Sequence, residues 1–508
     1  MKENFIMQNT KIKYYLAGFN FLICSTVMIL FVLNKHFSVD DYWAFYHQHD
    51  SALASVGMSA RPIGGGILYI LNKLGINVVQ HQIIFGILFV LAVAWATTKI
   101  TLEVIELINP ENGIYNIVLL NGGTLILFIN ASISEYLYYT VMYTSFTVAI
   151  LSMTYAIVYI KKETNILKNW LIGVLALTIT ASTYQIFIAQ YTCIIMFIMF
   201  VHSSGKINKK TVFSIFRSGL AAFIAIAINL FISKLLVSWG GGNENSRLNI
   251  NLSEFSRFIH DFLLSQQEIW IDGMGLYPRY ILFITLLLLL FFLVYTMKKN
   301  HVHFEEYFFV SMVLFSGICV VYMAQIMQGY IRVINRMMMP VFAVYSLLIW
   351  LLYYYLNGNK KNTWKKIGLI LLGFFWGYSS IKVNEVAIDT IKTNTISRCY
   401  IEEINRRIKS YELEHGIIIT KVGFCSDAHI SYRYYQFINT TAYGDMCANP
   451  FLANWSDYTS LNYYSKQNFI RVEVPNEIAE YYALQNWDEA NWDEQLYFDN
   501  DAVYICVY

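Results

Sequence analysis

Apolar runs of about 20 residues recur along this 508-residue chain, and a run of about 17–25 such residues is what a helix needs to cross a bilayer. They lie near 14–33, 78–98, 113–130, 138–160, 212–238, 279–297, 306–326, 338–357 and 366–383. A further stretch, 169–203, is too long for one span and is interrupted by Thr183-Tyr184-Gln185. It reads as a hairpin of two helices, 169–182 and 186–203, which brings the expected number of spans to eleven. The first run is too long for a cleaved signal peptide and no small-x-small site follows it, so it is expected to stay as an anchor. The chain is therefore expected to be an all-α polytopic membrane body over residues 1–383.

Charge divides the chain at the same place. Only 14% of residues are charged, against roughly 25% in an ordinary soluble domain. Residues 1–383 hold 27 Lys+Arg and 16 Asp+Glu, a net of +11, whereas 384–508 hold 9 and 18, a net of −9. Residues 384–508 are expected to form a small α/β or α+β domain in water, with a charged helix at 385–412 and β-like runs at 416–424, 469–474 and 502–508. Cys399, Cys425, Cys447 and Cys506 all fall here. Four cysteines allow three pairings, so disulfides and free thiols both stay open.

Orientation follows from the loops. With the N-terminus inside, segments 1–13, 99–112, 161–168, 204–217, 298–305 and 358–366 face the cytoplasm and carry 17 of the 27 positive charges, 16 of them Lys. Cytoplasmic loops carry such an excess. Eleven spans then place the acidic tail outside, where cysteine pairing is also permitted. The outer positive charges differ in kind: Lys35 and Lys73 are joined by Arg61, Arg247, Arg257, Arg279, Arg332 and Arg336. A guanidinium is a rigid fork of donors that meets a phosphate bidentately, which Lys cannot do. The set suits an anion at the outer membrane surface.

Candidate chemistry gathers in the outer loops. Asp40-Asp41 follows the first span directly; a carboxylate there can act as a general base toward a hydroxyl, and its neighbour can orient the reacting group or simply end the helix. Ala60-Arg61-Pro62-Ile63-Gly64-Gly65-Gly66 leads into 67–74, which suits a helix lying in the interface. Its glycines permit close approach of backbone to a ligand or to another element. Gln328–Arg336 places Arg332 and Arg336 four apart, on one face if helical. The loop 239–278 begins Trp239-Gly240-Gly241-Gly242-Asn243 and holds Arg247, Arg257 and Asp272. Phosphate-loop, H-E-x-x-H and G-x-S-x-G patterns are absent from the sequence, which argues against ATP-driven transport, zinc proteolysis and serine hydrolysis. No metal-ligand spacing is present either.

An acidic pair after the first span (Asp40-Asp41), an Arg-Pro about twenty residues on (Arg61-Pro62), Thr183-Tyr184-Gln185 between two close spans and an arginine-bearing outer loop together resemble the serotype-converting O-antigen glucosyltransferases. These are multi-spanning enzymes of the GT-C glycosyltransferase class, often carried by bacteriophages. The order and placement of these short motifs, with the long body and outer tail, carry the resemblance; the family's Gly before Arg-Pro is Ala60 here. The resemblance implies a GT-C-like body in a bacterial inner membrane with a periplasmic C-terminal domain. It also implies transfer of glucose from undecaprenyl-phosphate-glucose to a sugar of lipid-linked O-antigen, the precursor of lipopolysaccharide. In that reading Asp40 or Asp41 is the base, and Arg61, Arg332, Arg336 and Arg279 meet the donor phosphate. Tyr184, Gln185, Arg247 and Asp272 belong to the acceptor or loop side. A divalent cation, Mg or Mn, is compatible with GT-C chemistry, though no residue here requires one. Membrane lipid is an expected partner and nucleic acid is not. Two rivals stand beside it: a lipid-linked sugar flippase or exporter, which would want arginines on both faces or along a central cavity, and an O-antigen polymerase or ligase, which shares the outer arginines.

Overall fold

A computed structural model of the chain describes residues 2–110, 113–239, 255–322, 333–357, 363–426, 446, 449–485 and 490–507. Among them, eight helices are long and apolar enough to cross a membrane: Lys11–Leu33, Gln82–Ile108, Thr140–Ile160, Ile166–Thr183, Lys209–Ser238, Ile281–Lys299, Met339–Leu356 and Thr363–His415. Two of the eleven expected spans are shorter apolar helices, Ile114–Ile126 and Ile186–His202. The run at 306–326 is helical over Phe304–Val321, with residues 323–326 outside the described set.

In chain order the helices of the body are α1 (Lys2–Leu33), α2 (Val39–Tyr46), α3 (Gln48–Gly57), α4 (Pro62–Lys73), α5 (Gln82–Ile108), α6 (Ile114–Ile126), α7 (Ile133–Tyr138), α8 (Tyr143–Ile160), α9 (Ile166–Thr183), α10 (Ile186–His202), α11 (Lys209–Ser238), α12 (Phe255–Gln266), α13 (Ile281–Lys299), α14 (Phe304–Val321), α15 (Met339–Leu356) and α16 (Thr363–His415). Hydrophobic burial cannot by itself select partners among helices surrounded by lipid, so close packing and interhelical hydrogen bonds must do so. Asn20 of α1 donates to Thr98 of α5 at 3.0 Å and exchanges two bonds with Asn121 of α6, at 3.0 and 2.7 Å. Thr101 adds a fourth bond, to Asn121 at 2.9 Å. Ser152 and Thr180 link α8 to α9 at 2.8 Å.

Three expected boundaries move, each for a local reason. The helix expected at 67–74 begins at Pro62, whose fixed φ suits the first helical position, so Gly64, Gly65 and Gly66 lie inside α4. Gly65 is there for packing: a Cβ on it would lie 2.5 Å from the Ala52 carbonyl oxygen of α3. The run 113–130 stops being helical at Ile126, and the chain from 127 to 142 is buried yet irregular around the short α7. Such backbone at this depth needs partners from elsewhere. It finds them in Gln190, which donates to Leu127 O at 3.1 Å, in Tyr277, whose hydroxyl accepts from Ala131 N–H at 2.8 Å, and in Asp41. Finally, the span at 366–383 and the charged helix at 385–412 are one continuous helix, α16, of 53 residues. The division at 383/384 falls inside it.

The tail forms the expected small sheet with helices. Strands β1 (Lys421–Ser426), β2 (Ile470–Arg471), β3 (Leu496–Asp499) and β4 (Ala502–Val507) are ordered β2-β1-β4-β3, with β1 parallel to β2 and β4, and β3 antiparallel to β4. Ile401, Ile404 and Ile408 of α16, spaced for one helical face, share a core with Val503, Ile505 and Val507. The alternate residues of β4, Ala502, Tyr504 and Cys506, pack on Tyr482 of the opposite layer. β4 is thus buried on both faces. Cys399 and Cys425 are free thiols, and burial pushes the Cys425 thiol up; Cys447 lies outside the described residues.

Candidate functional site

The acidic pair begins α2, and local sequence explains its geometry. Ser38-Val39-Asp40-Asp41 forms a capping box: Asp41 N–H donates to Ser38 Oγ at 3.2 Å, and Ser38 N–H donates to Asp41 Oδ2 at 2.9 Å. The Ser38 hydroxyl donates to the same oxygen at 2.8 Å, as does Thr140 N–H at 3.2 Å, while Val141 N–H reaches Oδ1 at 2.8 Å. Asp41 is fully buried. Its burial pushes the carboxyl above the usual range, against the pull of the Ser38 and Val141 N–H groups and of His36. Asp40, one residue away and so about 100° round the helix, is exposed. The two aspartates therefore do different work: Asp41 anchors α2 to the irregular segment 139–142, and Asp40 is the carboxylate a water-borne or interfacial group can reach.

That segment is also the link to the arginines. Glu135, in α7, is fully buried and forms an ion pair with Arg336. Its second oxygen accepts from Arg336 N–H at 2.8 Å. Tyr136 donates its hydroxyl to Arg336 O at 2.6 Å, and the Arg336 guanidinium lies 4.6 Å from the Tyr139 ring centre. The Arg336 guanidinium also acts electrostatically on the Tyr184 hydroxyl. Arg61 approaches Tyr184 too, its guanidinium 4.4 Å from the ring centre, and its Nε donates to Gln185 Oε1 at 3.4 Å. Gln185 in turn donates to the carbonyls of Ser59 and Ala60 at 3.0 and 2.8 Å, and Asn229 donates to Ala60 O at 3.0 Å. These bonds hold Ala60 at φ +50°, a left-handed turn that sets Arg61 at the start of α4.

Four of the residues singled out in the sequence, Arg61, Arg336, Tyr184 and Gln185, thus meet around one pair of tyrosine rings, Tyr136 and Tyr184, 5.7 Å apart. Arg279 and Asp272 instead pair with each other, Nε to Oδ1 3.4 Å, with Arg279 largely exposed. Arg332 and Arg247 lie outside the described residues, as do Gly240–Asn243, and Arg257 falls in α12. Among the described residues no group of three or more His, Cys, Asp or Glu side chains is arranged to hold a metal.

Sequence reading passed over Glu135, Tyr136, Tyr139 and His36. Glu135 carried a signal, since it is the one acidic residue between 113 and 162, and an isolated acid in so apolar a stretch needs a partner. His36 is buried with Nδ1 2.9 Å from Asn34 O and Nε2 3.0 Å from Leu137 O, tying the end of α1 to the same segment.

The tail reaches this end of the body. Asn394 of α16 clamps the backbone of Phe37, accepting from its N–H at 2.7 Å and donating to its carbonyl at 3.0 Å. The Tyr42 and Tyr464 hydroxyls meet at 3.0 Å, and the Tyr458 hydroxyl lies 3.3 Å from His47 Nε2. Trp43 stacks on His47 at 4.0 Å. No protein-family model and no curated protein matches the sequence.

Proposed function

We propose that the protein is a membrane glycosyltransferase of the GT-C kind, a hexosyltransferase. In this reading it moves glucose from undecaprenyl-phosphate-glucose to a sugar of lipid-linked O-antigen at the periplasmic face of a bacterial inner membrane. The observation that carries the reading is the convergence of Arg61 and Arg336, 275 positions apart, on Tyr184. The same buried segment that carries Glu135 also holds the helix bearing Asp40. An anion site and a reachable carboxylate thus share one scaffold.

The chemistry follows. Asp40 takes the proton from an acceptor hydroxyl as its oxygen bonds to the anomeric carbon. The bond from that carbon to the phosphate oxygen breaks, and polyprenyl phosphate leaves with the electron pair. Charge grows on that phosphate, and guanidinium groups fixed beforehand stabilise it without reorganising. Arg61, set at the start of α4 by Gln185 and the Tyr184 ring, is the guanidinium assigned to the donor phosphate. Arg336 is balanced by Glu135, so its part is to fix Tyr184 and lend donors. Asp41 positions Asp40 by holding α2. The aromatic contacts between α2–α3 and the tail suit stacking on acceptor sugars.

The test is transfer of labelled glucose from polyprenyl-phosphate-glucose to lipid-linked O-antigen in membranes containing the intact protein or Asp40→Asn. Loss of a general base lowers the rate by about a hundredfold or more. Normal transfer by Asp40→Asn removes Asp40 from the chemistry. No transfer by the intact protein with any polyprenyl-phosphate sugar moves the exporter reading to the front.

A further inference from the structure

A groove of about 280 Å³ runs along α13 between α6, α15 and α16, from Tyr277 and Ile281 at one end to Lys299 and Asn300 at the other. Along most of its length the wall is apolar, formed by residues such as Leu289, Phe292, Leu371 and Phe375. Tyr277, Thr285 and Tyr345 line one end, while its charged residues, Lys299 at the end of α13 and Lys365 at the start of α16, lie together with Asn300 at the other. Asn300 fixes that end by donating to Tyr355 O of α15 at 2.6 Å.

Lys365 is the unusual member. It is only 4% exposed, it lines the groove, and among the described residues it forms neither an ion pair nor a hydrogen bond. A buried ammonium without a counter-charge is costly, and the first turn of a helix makes it more so, because the N-terminal end of the dipole is itself positive. Lys365 and the positive end of the α16 dipole together favour an anion here, and among the described residues Lys365 has no counter-charge. The apolar wall beside it excludes a small hydrated anion as the natural occupant and fits a chain of methylene groups.

We propose that this groove holds one anionic phospholipid, its phosphate between Lys365 and Lys299 and an acyl chain lying along the apolar wall. On the orientation proposed above, the lipid belongs to the cytoplasmic leaflet and so is separate from the donor at the other face. The proposal needs only that the helices lie in a bilayer; lipid retention and glucosyl transfer fail independently of one another.

Native mass spectrometry of the full chain in detergent tests it, with phosphatidylglycerol or phosphatidylcholine of matched chains added. The expected result is one phosphatidylglycerol retained per chain, at least tenfold over phosphatidylcholine, undiminished by millimolar inorganic phosphate. Lys365→Met and the exposed Lys299→Glu each cut that retention at least tenfold with the helical signal unchanged. Should Lys365→Met fail to fold, Lys299→Glu decides alone. Equal retention of the two lipids, displacement by inorganic phosphate, or wild-type retention by the folded variants overturns the proposal.

Discussion

An Asp41→Asn exchange puts an NH2 donor where four donors already converge, so at least one N–H is left facing another. Leaving a buried donor unmet costs about 1–3 kcal/mol. The expected result is a lower melting temperature and poorer recovery of folded protein, with transfer falling only as the folded fraction falls. Asp40→Asn is exposed and is expected to change stability by no more than about 0.5 kcal/mol, while transfer falls about a hundredfold. Thermal unfolding in detergent alongside the transfer assay separates the two, and matched melting losses for both variants would refute the division of labour. Arg61→Lys keeps the charge but loses the planar fork that stacks on Tyr184 and bonds Gln185. Hydrogen bonds to charged groups contribute about 1.5–3 kcal/mol, so KM for the polyprenyl donor is expected to rise about tenfold or more. An unchanged KM would show that Arg61 does not meet the donor.

Among the elements, α4 and α16 show what a sequence reveals and what it withholds. Gly65→Ala puts a methyl group against the Ala52 carbonyl, and such overpacking costs about 1–3 kcal/mol. The expected reading is a lower melting temperature in detergent, and an unshifted one would mean α3 and α4 can move apart. In α16, Glu403 is held down to about 2, chiefly by the Arg406 hydrogen bond and further by Arg407. A carboxyl lowered in the folded state stabilises above its unfolded value and loses that contribution as pH falls. Exchange protection in peptides covering 398–412, taken relative to the unstructured rate at each pH, should therefore fall between about pH 4.5 and 2, less steeply in Glu403→Gln and in high salt. Parallel profiles in the two proteins would assign the acid response elsewhere. The apolar runs were legible because hydrophobic length is a local property, and so was the 169–203 hairpin, broken where Thr183-Tyr184-Gln185 interrupts it. The irregular segment 127–142 was not: its helix-breaking depends on partners at Asp41, Gln190 and Tyr277, far away in sequence. Strand β3 was missed although Asp499-Asn500-Asp501 is a turn signal, with Asn500 at φ +50° joining β3 to β4. The continuity of α16 was hidden because its apolar half and charged half look like separate segments when read by composition. At the site, arginine in place of lysine pointed to Arg61 and Arg336, but which aspartate is buried depends on Thr140 and Val141, about a hundred positions away.

At the scale of the whole molecule, α16 is the mechanical connection: one end lines the lipid-facing groove at Lys365, the middle clamps Phe37 through Asn394, and the far end is a layer of the tail's core. Residues 400–508 add to that clamp the rings that cover α2 and α3, Tyr463 and Tyr464 packing with Phe37, Tyr42 and Phe45, and Tyr458 beside His47. None of the contacts described for these tail rings involves Arg61, Arg336 or Tyr184. Removing 400–508 therefore takes away the tail's share of the Asp40 side and, next to Glu135, the Met446 contact with Ser134, while the Arg336–Glu135 pair stays and Asn394 still holds Phe37. The truncated protein is expected to insert, to bind a labelled polyprenyl phosphate about as well as the intact chain, and to lose glucosyl transfer. A second protein, Tyr464→Phe with Tyr458→Phe, keeps the tail and removes only the hydroxyls that reach Tyr42 and His47. It is expected to keep donor binding and to weaken acceptor use, seen as a raised KM for lipid-linked O-antigen. If truncation abolishes donor binding together with transfer, the tail instead supports the fold of the body, and the acceptor must be held elsewhere; if truncation leaves transfer intact, the tail has no part in the reaction.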